Sequence, residues 1–142
     1  MGGAKRARTY AGHLGAEVVI CYKERKKANE IEYMNLIGEV KGKDVILVDD
    51  LVDTAGTLAK AANLIKEQGA RSIRAIGTHP ILSSEAYKRI EDSFLEELVV
   101  MDTVPLKKNN TSKIKVLSCA SLLAEVMHLV HNNKSISSKF II

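Results

Sequence analysis

The sequence predicts a three-layer α/β domain built on a mostly parallel sheet. Segments with the period of strands alternate along the chain with segments that have the period of helices. One strand segment, residues 45–48, is wholly apolar and mostly β-branched, which is typical of a strand buried on both faces of a parallel sheet. A short loop and an amphipathic helix follow it. With 142 residues, the chain is long enough for one domain with its own core.

The part of the chain before this central strand predicts a helix and two extended segments. A helical pattern over residues 4–13 ends at Gly15, and residues 16–22 have a strand pattern. The charged run at residues 23–30 follows that strand, and residues 32–40 read as extended. Charged runs are most often solvated loops, but a loop after a parallel strand can also overhang the ligand-binding edge of the sheet. Both interpretations stay open at this point.

The part of the chain after the central strand continues the alternation. A polar loop at residues 107–113 is the only long interruption. Right-handed crossovers place the successive loops along one edge of such a sheet. The predicted elements are a helix over residues 57–68, a strand over 72–78, a helix over 84–90 with Ser84 as N-cap, a strand over 95–101, a strand over Ile114–Leu117 and a helix over Ala120–His131.

The loop after the central strand carries the chemistry. Asp49 and Asp50 are acceptors that suit the hydroxyl groups of a sugar, directly or through a cation. The following residues offer successive backbone N–H groups, two hydroxyls and the positive end of a helix, which together suit a phosphate. Such residues are also common as turn formers and N-caps, but the whole string in this context favours a sugar phosphate site. The predicted phosphate-binding residues are Asp53, Thr54, Ala55, Gly56 and Thr57.

This loop resembles the phosphoribosyl pyrophosphate motif of the type I phosphoribosyltransferase fold, an apolar run followed by Asp-Asp-x-x-Asp-Thr-x-Gly-Thr. Segments outside the motif are similar to one branch of that fold, the ribose-phosphate pyrophosphokinase family. They include Gly-Gly-Ala-Lys-Arg-Ala at residues 2–7, Asp-Thr-Val-Pro at 102–105 and the tail at 135–140. The resemblance implies that residues 1–142 form a single phosphoribosyltransferase-like domain, the C-terminal half of a two-domain synthetase. We therefore expect a preceding domain in the complete protein.

The resemblance also implies a reaction, in which diphosphate passes from MgATP to the 1-hydroxyl of ribose 5-phosphate and gives phosphoribosyl pyrophosphate and AMP. The expected partners are ribose 5-phosphate and ATP, and the expected cofactor is Mg²⁺. Lys23 and Arg25 match the first and third basic residues of the family's catalytic loop, whereas Glu24 departs from the middle one. Because the family places its adenine pocket on the other domain and on a neighbouring subunit, we expect this fragment to be inactive alone and the full-length protein to be a homo-oligomer.

The family resemblance extends to the C-terminal tail. Ser135, Ser137 and Phe140 match part of a regulatory phosphate or nucleotide site that the family forms between subunits. A phosphoribosyltransferase that consumes phosphoribosyl pyrophosphate would share the central loop, but no segment resembles its base-recognising hood. A non-catalytic regulatory protein associated with the synthetase is the other alternative, and the retained Lys23 and Arg25 argue against it.

Composition weighs against several other classes. The net charge of +4 is spread along the chain and aromatic residues make up 4%, so nucleic-acid binding is not predicted. The sequence contains no membrane-length apolar run or secretory signal, which predicts a cytoplasmic protein without membrane contact. Cys21 and Cys119 lack metal-ligand spacing, and His128 and His131 lack a third ligand, so no metal site is predicted. His79 is either a polar strand-end residue or a residue at the ligand edge.

Overall fold

The computed structural model describes residues 3–24, 33–107 and 111–140, and it has the α/β architecture that the sequence predicts. Helices and strands alternate along most of the chain, and a 3-10 turn at Ser137–Lys139 follows the last helix. In chain order, the elements are α1 (Gly3–Leu14), β1 (Ile20–Glu24), β2 (Tyr33–Ile37), β3 (Asp44–Val52), α2 (Gly56–Glu67), β4 (Ser72–Pro80), α3 (Ala86–Asp92), β5 (Glu97–Met101), β6 (Ile114–Leu117) and α4 (Ala120–His131).

A four-stranded parallel sheet in the order β3-β4-β5-β6 forms the centre of the molecule. Asp44 pairs with Ser72 at the start of the first strand pair, and Val52 pairs with Pro80 at its end. Parallel neighbours need crossover connections, and α2 and α3 provide those on either side of β4. The carboxyl ends of the strands therefore meet at one edge. The predicted ligand loop, residues 49–57, lies at that edge.

The core lies between this sheet and helix α2, with α3 beside it. The inward residues of α2 fall on one stripe of the helix, as its apolar spacing predicts. Gly77 continues the inward face of β4, and a Cβ at this position would lie 2.8 Å from Cγ2 of Val52. A glycine is therefore needed for the end of β3 to pack over β4. The main buried residues are Leu58, Ala61, Ala62 and Ile65 in α2, Ile73 and Ala75 in β4, and Leu98 and Val100 in β5.

The prediction for the first strand is wrong in its bounds, and the strand does not belong to the parallel sheet. The strand begins at Ile20, and it pairs antiparallel with β2 as a hairpin outside the parallel sheet. Val18 and Ile20, at the centre of the predicted strand, are exposed. The β-branched pattern favours a strand, but it does not determine which segment pairs with it. The charged run therefore begins at the end of a hairpin strand and not at the end of a strand of the parallel sheet.

The predictions for the central strand and for the third helix also need correction. Among the described strands, β3 is at an edge of the sheet, where Ile46 is 51% exposed, so the strand is not buried on both faces. It also continues through the two acids as far as Val52. Helix α3 begins at Ala86, and Ser84 is not its N-cap because Ser84 adopts a left-handed φ of 55° two residues earlier.

Helix α4 has the predicted bounds, but none of its residues is buried. Val126 and Leu129 are half-buried, whereas the other large apolar side chains of α4 are exposed, with Met127 being 70% exposed. His128 and His131 are on exposed helix surface. Both cysteines are free thiols. No helix in residues 3–24, 33–107 and 111–140 combines the length and the apolar character that a membrane span requires.

Candidate functional site

The residues predicted to bind a ligand lie together at the end of β3 and the start of α2. Ala55 precedes the helix with φ 56° and ψ 6°, which is a left-handed conformation that L-residues other than glycine rarely adopt. The first N–H groups of a helix have no partner within the helix. Within the described residues, no side chain accepts a hydrogen bond from the N–H groups of Gly56 or Thr57. The start of α2 is therefore open to an acceptor from a ligand.

A cavity of about 500 Å³ opens beside this loop. Its volume is within the usual range for small-molecule sites. Asp53, Thr54 and Thr57 are exposed at the surface of the loop, so a ligand can reach them. Lys60 and Arg89 add two cationic side chains to the cavity wall, which suits an anionic ligand such as a phosphate. The cavity is lined by Thr54, Gly56, Thr57, Ala59, Lys60, Asn63 and Arg89.

The acid pair at the end of β3 is organised by its neighbours. Oδ1 of Asp49 accepts the backbone N–H of Asp50 at 2.9 Å, and Oδ2 of Asp50 accepts a hydrogen bond from Nη2 of Arg6 at 3.2 Å. Burial raises the pKa of Asp49, whereas the backbone N–H and the Arg6 guanidinium lower the pKa of Asp50. Asp50 therefore stays ionised to a lower pH than an unperturbed aspartate does. Asp49 is the acid of the pair whose charge is best stabilised by a ligand hydroxyl or a cation.

The chain after β4 packs against the ligand loop. The hydroxyl of Ser83 donates to Oδ1 of Asp53, and the N–H of Ser83 donates to the carbonyl of Asp53 at 3.1 Å. The N–H of Leu82 donates to the carbonyl of Val52 at the same distance. Leu82 itself has a left-handed φ of 46°. These contacts join two loops at the carboxyl edge of the sheet into one unit.

His79 has a structural partner at the ends of β4 and β5. Its Nδ1 lies 2.9 Å from Oγ1 of Thr103, and that hydroxyl donates to the carbonyl of Thr78 at 3.0 Å. Because the hydroxyl hydrogen of Thr103 is already used, Nδ1 of His79 is the donor of this pair. The contact fits the interpretation of His79 as a polar strand-end residue. A role at the ligand edge stays a prediction.

The predicted catalytic residues belong to the charged run at residues 23–30, of which the structure describes only the backbone of Lys23 and Glu24. Lys23 is in β1, where its backbone is in register with Met34. Arg25 lies outside the described residues, as do Lys26 and Ala28 of the charged run. The catalytic roles of Lys23 and Arg25 therefore stay predictions.

The predicted regulatory residues form a separate cluster at the C-terminal tail. The N–H of Ser137 donates to Oγ of Ser135 at 3.2 Å, and Phe140 is 61% exposed. An ion pair between Lys139 and Glu125 holds this tail against α4. Across the described ranges, no hydrogen bond or ion pair joins the tail to residues 49–57. A regulatory role for the tail stays a prediction.

Sequence reasoning missed several residues of the site. Arg6, Lys60, Ser83 and Arg89 all contact the loop or line its cavity. Lys60 could have been found from its spacing, because it lies one turn after Gly56 on α2. Arg6 lies in one of the segments that carry the family resemblance. Ser83 and Arg89 have no local signal, since their contacts depend on how the chain after β4 folds back.

Comparisons with known proteins identify sequence relatives of this chain. The family model of the phosphoribosyl synthetase-associated domain matches residues 25–141. A ribose-phosphate pyrophosphokinase from Wolinella succinogenes is 56% identical over 141 residues, which are 99% of this chain and 45% of that protein. One from Campylobacter jejuni is 55% identical over 141 residues, with the same shares.

A solved structure gives the same result at the level of the fold. The crystal structure of phosphoribosylpyrophosphate synthetase from Mycobacterium smegmatis matches with a TM-score of 0.84 and 34% identity, over 94% of this chain and 43% of that chain. The chain therefore spans less than half the length of the relatives that it matches. The expected position of this segment in the C-terminal half of a longer chain stays a prediction.

Proposed function

Because this chain belongs to the family of the phosphoribosyl synthetase-associated domain, we propose that it carries the ribose 5-phosphate site of a ribose-phosphate diphosphokinase. Such an enzyme transfers diphosphate from MgATP to the 1-hydroxyl of ribose 5-phosphate. The names of the similar proteins support this activity. The observation that carries the proposal is the open start of α2 beside two carboxylates, at the carboxyl edge of a parallel sheet.

The two halves of the site suit the two ends of the sugar phosphate. The 5-phosphate would accept hydrogen bonds from the N–H groups of Gly56 and Thr57 and from the threonine hydroxyls of the loop. The positive end of the α2 dipole would stabilise its charge. Asp49 and Asp50 would accept hydrogen bonds from the ribose hydroxyls. The 1-hydroxyl then points away from the loop, toward the co-substrate.

The chemical step needs alignment and charge neutralisation more than a protein nucleophile. The 1-hydroxyl attacks the β-phosphorus of ATP and loses its proton to solvent, the bond from that phosphorus to the α-phosphate oxygen breaks, and AMP leaves with that oxygen. Lys23 and Arg25 would stabilise the negative charge of the transferring phosphates. The oxygens of Asp49 and Asp50 suit Mg²⁺, a hard cation that proteins hold through one or two carboxylates together with substrate phosphates. When bound, the ion would neutralise part of the phosphate charge.

Properties of the whole protein extend beyond this chain. The adenine pocket, the homo-oligomeric state and the cytoplasmic location stay predictions that rest on the family resemblance. The chain covers 45% of each of these two relatives. We therefore assign sugar phosphate binding to this chain and turnover to a longer protein. Binding is therefore the property to measure.

Calorimetric titration tests the proposal on this chain. We expect ribose 5-phosphate to bind, and Asp49→Asn to weaken that binding by roughly tenfold to a hundredfold because a charged acceptor of the ribose hydroxyls is lost. The affinity for inorganic phosphate should stay unchanged in the same variant, since the phosphate half of the site is intact. Asp92→Asn, an exposed acid at the end of α3, is the matched control. Lys23→Ala should also leave sugar binding unchanged.

The titration has outcomes that oppose the proposal. Tight binding of MgATP without affinity for ribose 5-phosphate would overturn the assignment of the loop. An equal loss of inorganic phosphate affinity in Asp49→Asn would show that the carboxylates do not bind the sugar end separately. Asp92→Asn with the same defect as Asp49→Asn would reduce the effect to general charge.

A further inference from the structure

Arg89 in α3 contacts the ligand loop from the side. Its Nη1 donates to the carbonyl of Thr54 at 3.0 Å, and the same nitrogen is 3.6 Å from the position that a Cβ on Gly56 would occupy. The side chain also lines the cavity beside the loop. Its Nη2 is 3.6 Å from Oε2 of Glu85, one turn earlier. A single guanidinium thus reaches both the backbone of the loop and the space that the phosphate would enter.

The contact falls where the loop needs support. Thr54 immediately precedes Ala55, and the left-handed conformation of Ala55 is unfavourable for a residue with a Cβ. Such a conformation persists only when its surroundings hold it in place. A hydrogen bond from a charged donor is stronger than one between neutral groups, so Arg89 is well suited to fix this carbonyl. The preceding residue, Asp53, accepts a hydrogen bond from Ser83, which like Arg89 belongs to the chain after β4.

The charge of Arg89 gives it a second effect. A guanidinium stays protonated at all physiological pH values. The Glu85 carboxylate that faces it is 65% exposed, and solvent weakens such a pair. The remaining positive potential adds to that of the helix N-terminus and favours an anion in the cavity.

We propose that Arg89 is a positioning residue for the phosphate of the bound sugar. It holds the carbonyl of Thr54 so that the N–H groups of Gly56 and Thr57 converge on one anion, and it strengthens the positive potential there. This inference rests on the proposed function, because it assigns Arg89 to the same sugar phosphate site. Arg89 acts through the loop, in contrast to the loop residues that touch the phosphate.

Substitution of Arg89 tests this role. We expect Arg89→Met to weaken binding of both ribose 5-phosphate and inorganic phosphate by roughly tenfold to a hundredfold, as for loss of a charged hydrogen bond. This pattern differs from that of Asp49→Asn, which should spare inorganic phosphate. Arg89→Lys keeps the charge and one donor, so it should recover part of the affinity. Glu85→Gln removes the ion pair but not the contact with Thr54, and it should bind as the unsubstituted chain does.

Amide hydrogen exchange supplies a readout that does not depend on ligand. In the ligand-free chain, Arg89→Met should speed exchange at residues 55–58, and added methylguanidinium should slow it again. If Arg89→Met acted only through lost packing, added methylguanidinium would not slow the exchange again. If the unsubstituted chain binds no sugar phosphate, the proposed function fails, while the exchange rates still decide whether Arg89 orders the loop.

Defined results would overturn the proposal. Unchanged inorganic phosphate affinity together with unchanged exchange in Arg89→Met would show that Arg89 does not position the loop. If Arg89→Met does not fold, Arg89→Lys decides. A folded Arg89→Lys with full affinity and loop exchange equal to the unsubstituted chain would contradict the need for a guanidinium, whereas intermediate values would support it.

Discussion

Helices α2 and α4 are each 12 residues long, and each follows a strand of the same parallel sheet, yet they have different surroundings. Helix α2 buries one apolar stripe against the sheet, whereas no residue of α4 is buried. Both sequences have the periodicity of an amphipathic helix. Periodicity therefore predicts that a helix forms, but the surface that covers its apolar face depends on which elements lie beside it.

The two helices also differ at their N-termini. At α4, Oδ1 of Asp102 accepts the N–H of Cys119 at 2.8 Å, and its other oxygen accepts the hydroxyl of Ser118. At α2, the described residues provide no such side-chain acceptor. Within the described ranges, one helix start thus has an anion supplied by the protein and the other has none. This difference distinguishes a structural helix start from a ligand site, although both lie at the carboxyl edge of the sheet.

The difference in burial predicts the largest effect on stability. Ile65→Ala in α2 should lower the free energy of unfolding by about 2–5 kcal/mol, because it removes a fully buried side chain and leaves a cavity. Leu123→Ala in α4, where the leucine is 54% exposed, should change it by about 0.5 kcal/mol or less. Urea denaturation of this chain measures both values. A large loss in Leu123→Ala would show that α4 is covered in solution.

A carboxylate side chain at the start of α2 should make this helix start resemble that of α4, where Asp102 supplies the negative charge. Thr57→Asp is expected to weaken ribose 5-phosphate binding on the order of a hundredfold, because a carboxylate would face the incoming phosphate. Stability should be kept or slightly raised, since an acid in the first turn favours the helix dipole. Thr57→Asn, of similar size but neutral, is the control in the same titration. Equal losses in both variants would indicate that the hydroxyl matters and the added charge does not.

Removing the anion from the start of α4 should have the smallest effect, and it depends on pH. Donors from Ser118 and Cys119 lower the pKa of Asp102 from 3.8 to about 2. Because the folded pKa is below the unfolded one, this carboxylate stabilises the fold above about pH 4 and ceases to do so as the pH falls to about 2. Asp102→Asn should therefore lower the urea midpoint of unfolding at neutral pH. The midpoint of this variant should also depend less on pH between about pH 4 and about pH 2.

The thiol of Cys119 reports on the same change. Its pKa is raised because its S–H donates to Asp102. Asp102→Asn should lower this pKa and speed alkylation of the thiol at neutral pH. Cys21, whose pKa is raised by burial, should react as before and serves as the internal control. Alkylation of Cys119 at an unchanged rate would mean that the carboxylate does not control the thiol.

The sequence was sufficient for features that depend on neighbouring residues. The bounds of α4, the position of α2 and the ligand loop follow from periodicity and from one continuous motif. The hairpin of β1 and β2 could not be predicted in the same way, because strand pairing is decided by contacts between distant segments. The edge position of β3 was missed for a related reason, since an apolar run does not reveal whether a strand has a neighbouring strand on both sides.

The same distinction applies within the candidate site. Asp49 and Gly56 are part of the motif, and the structure brings both to the loop. Ser83 and Arg89 enter the site only because the chain after β4 returns to the loop, and no pattern around them indicates that return. Positions on a motif are thus predictable, whereas the residues that hold the motif in place need the tertiary structure.

The parallel register of β3 and β4 has a consequence for how the molecule assembles. The ladder between these strands can close only after the chain has passed through the ligand loop and the whole of α2. Non-local pairings of this kind form slowly, because the chain must lose the entropy of a long loop before the first ladder bond stabilises it. The ligand loop lies within that crossover, so it gains its shape in the same event that joins the strands. During synthesis, a chain that has emerged only as far as Glu67 contains the complete loop sequence without β4 or α3 to order it.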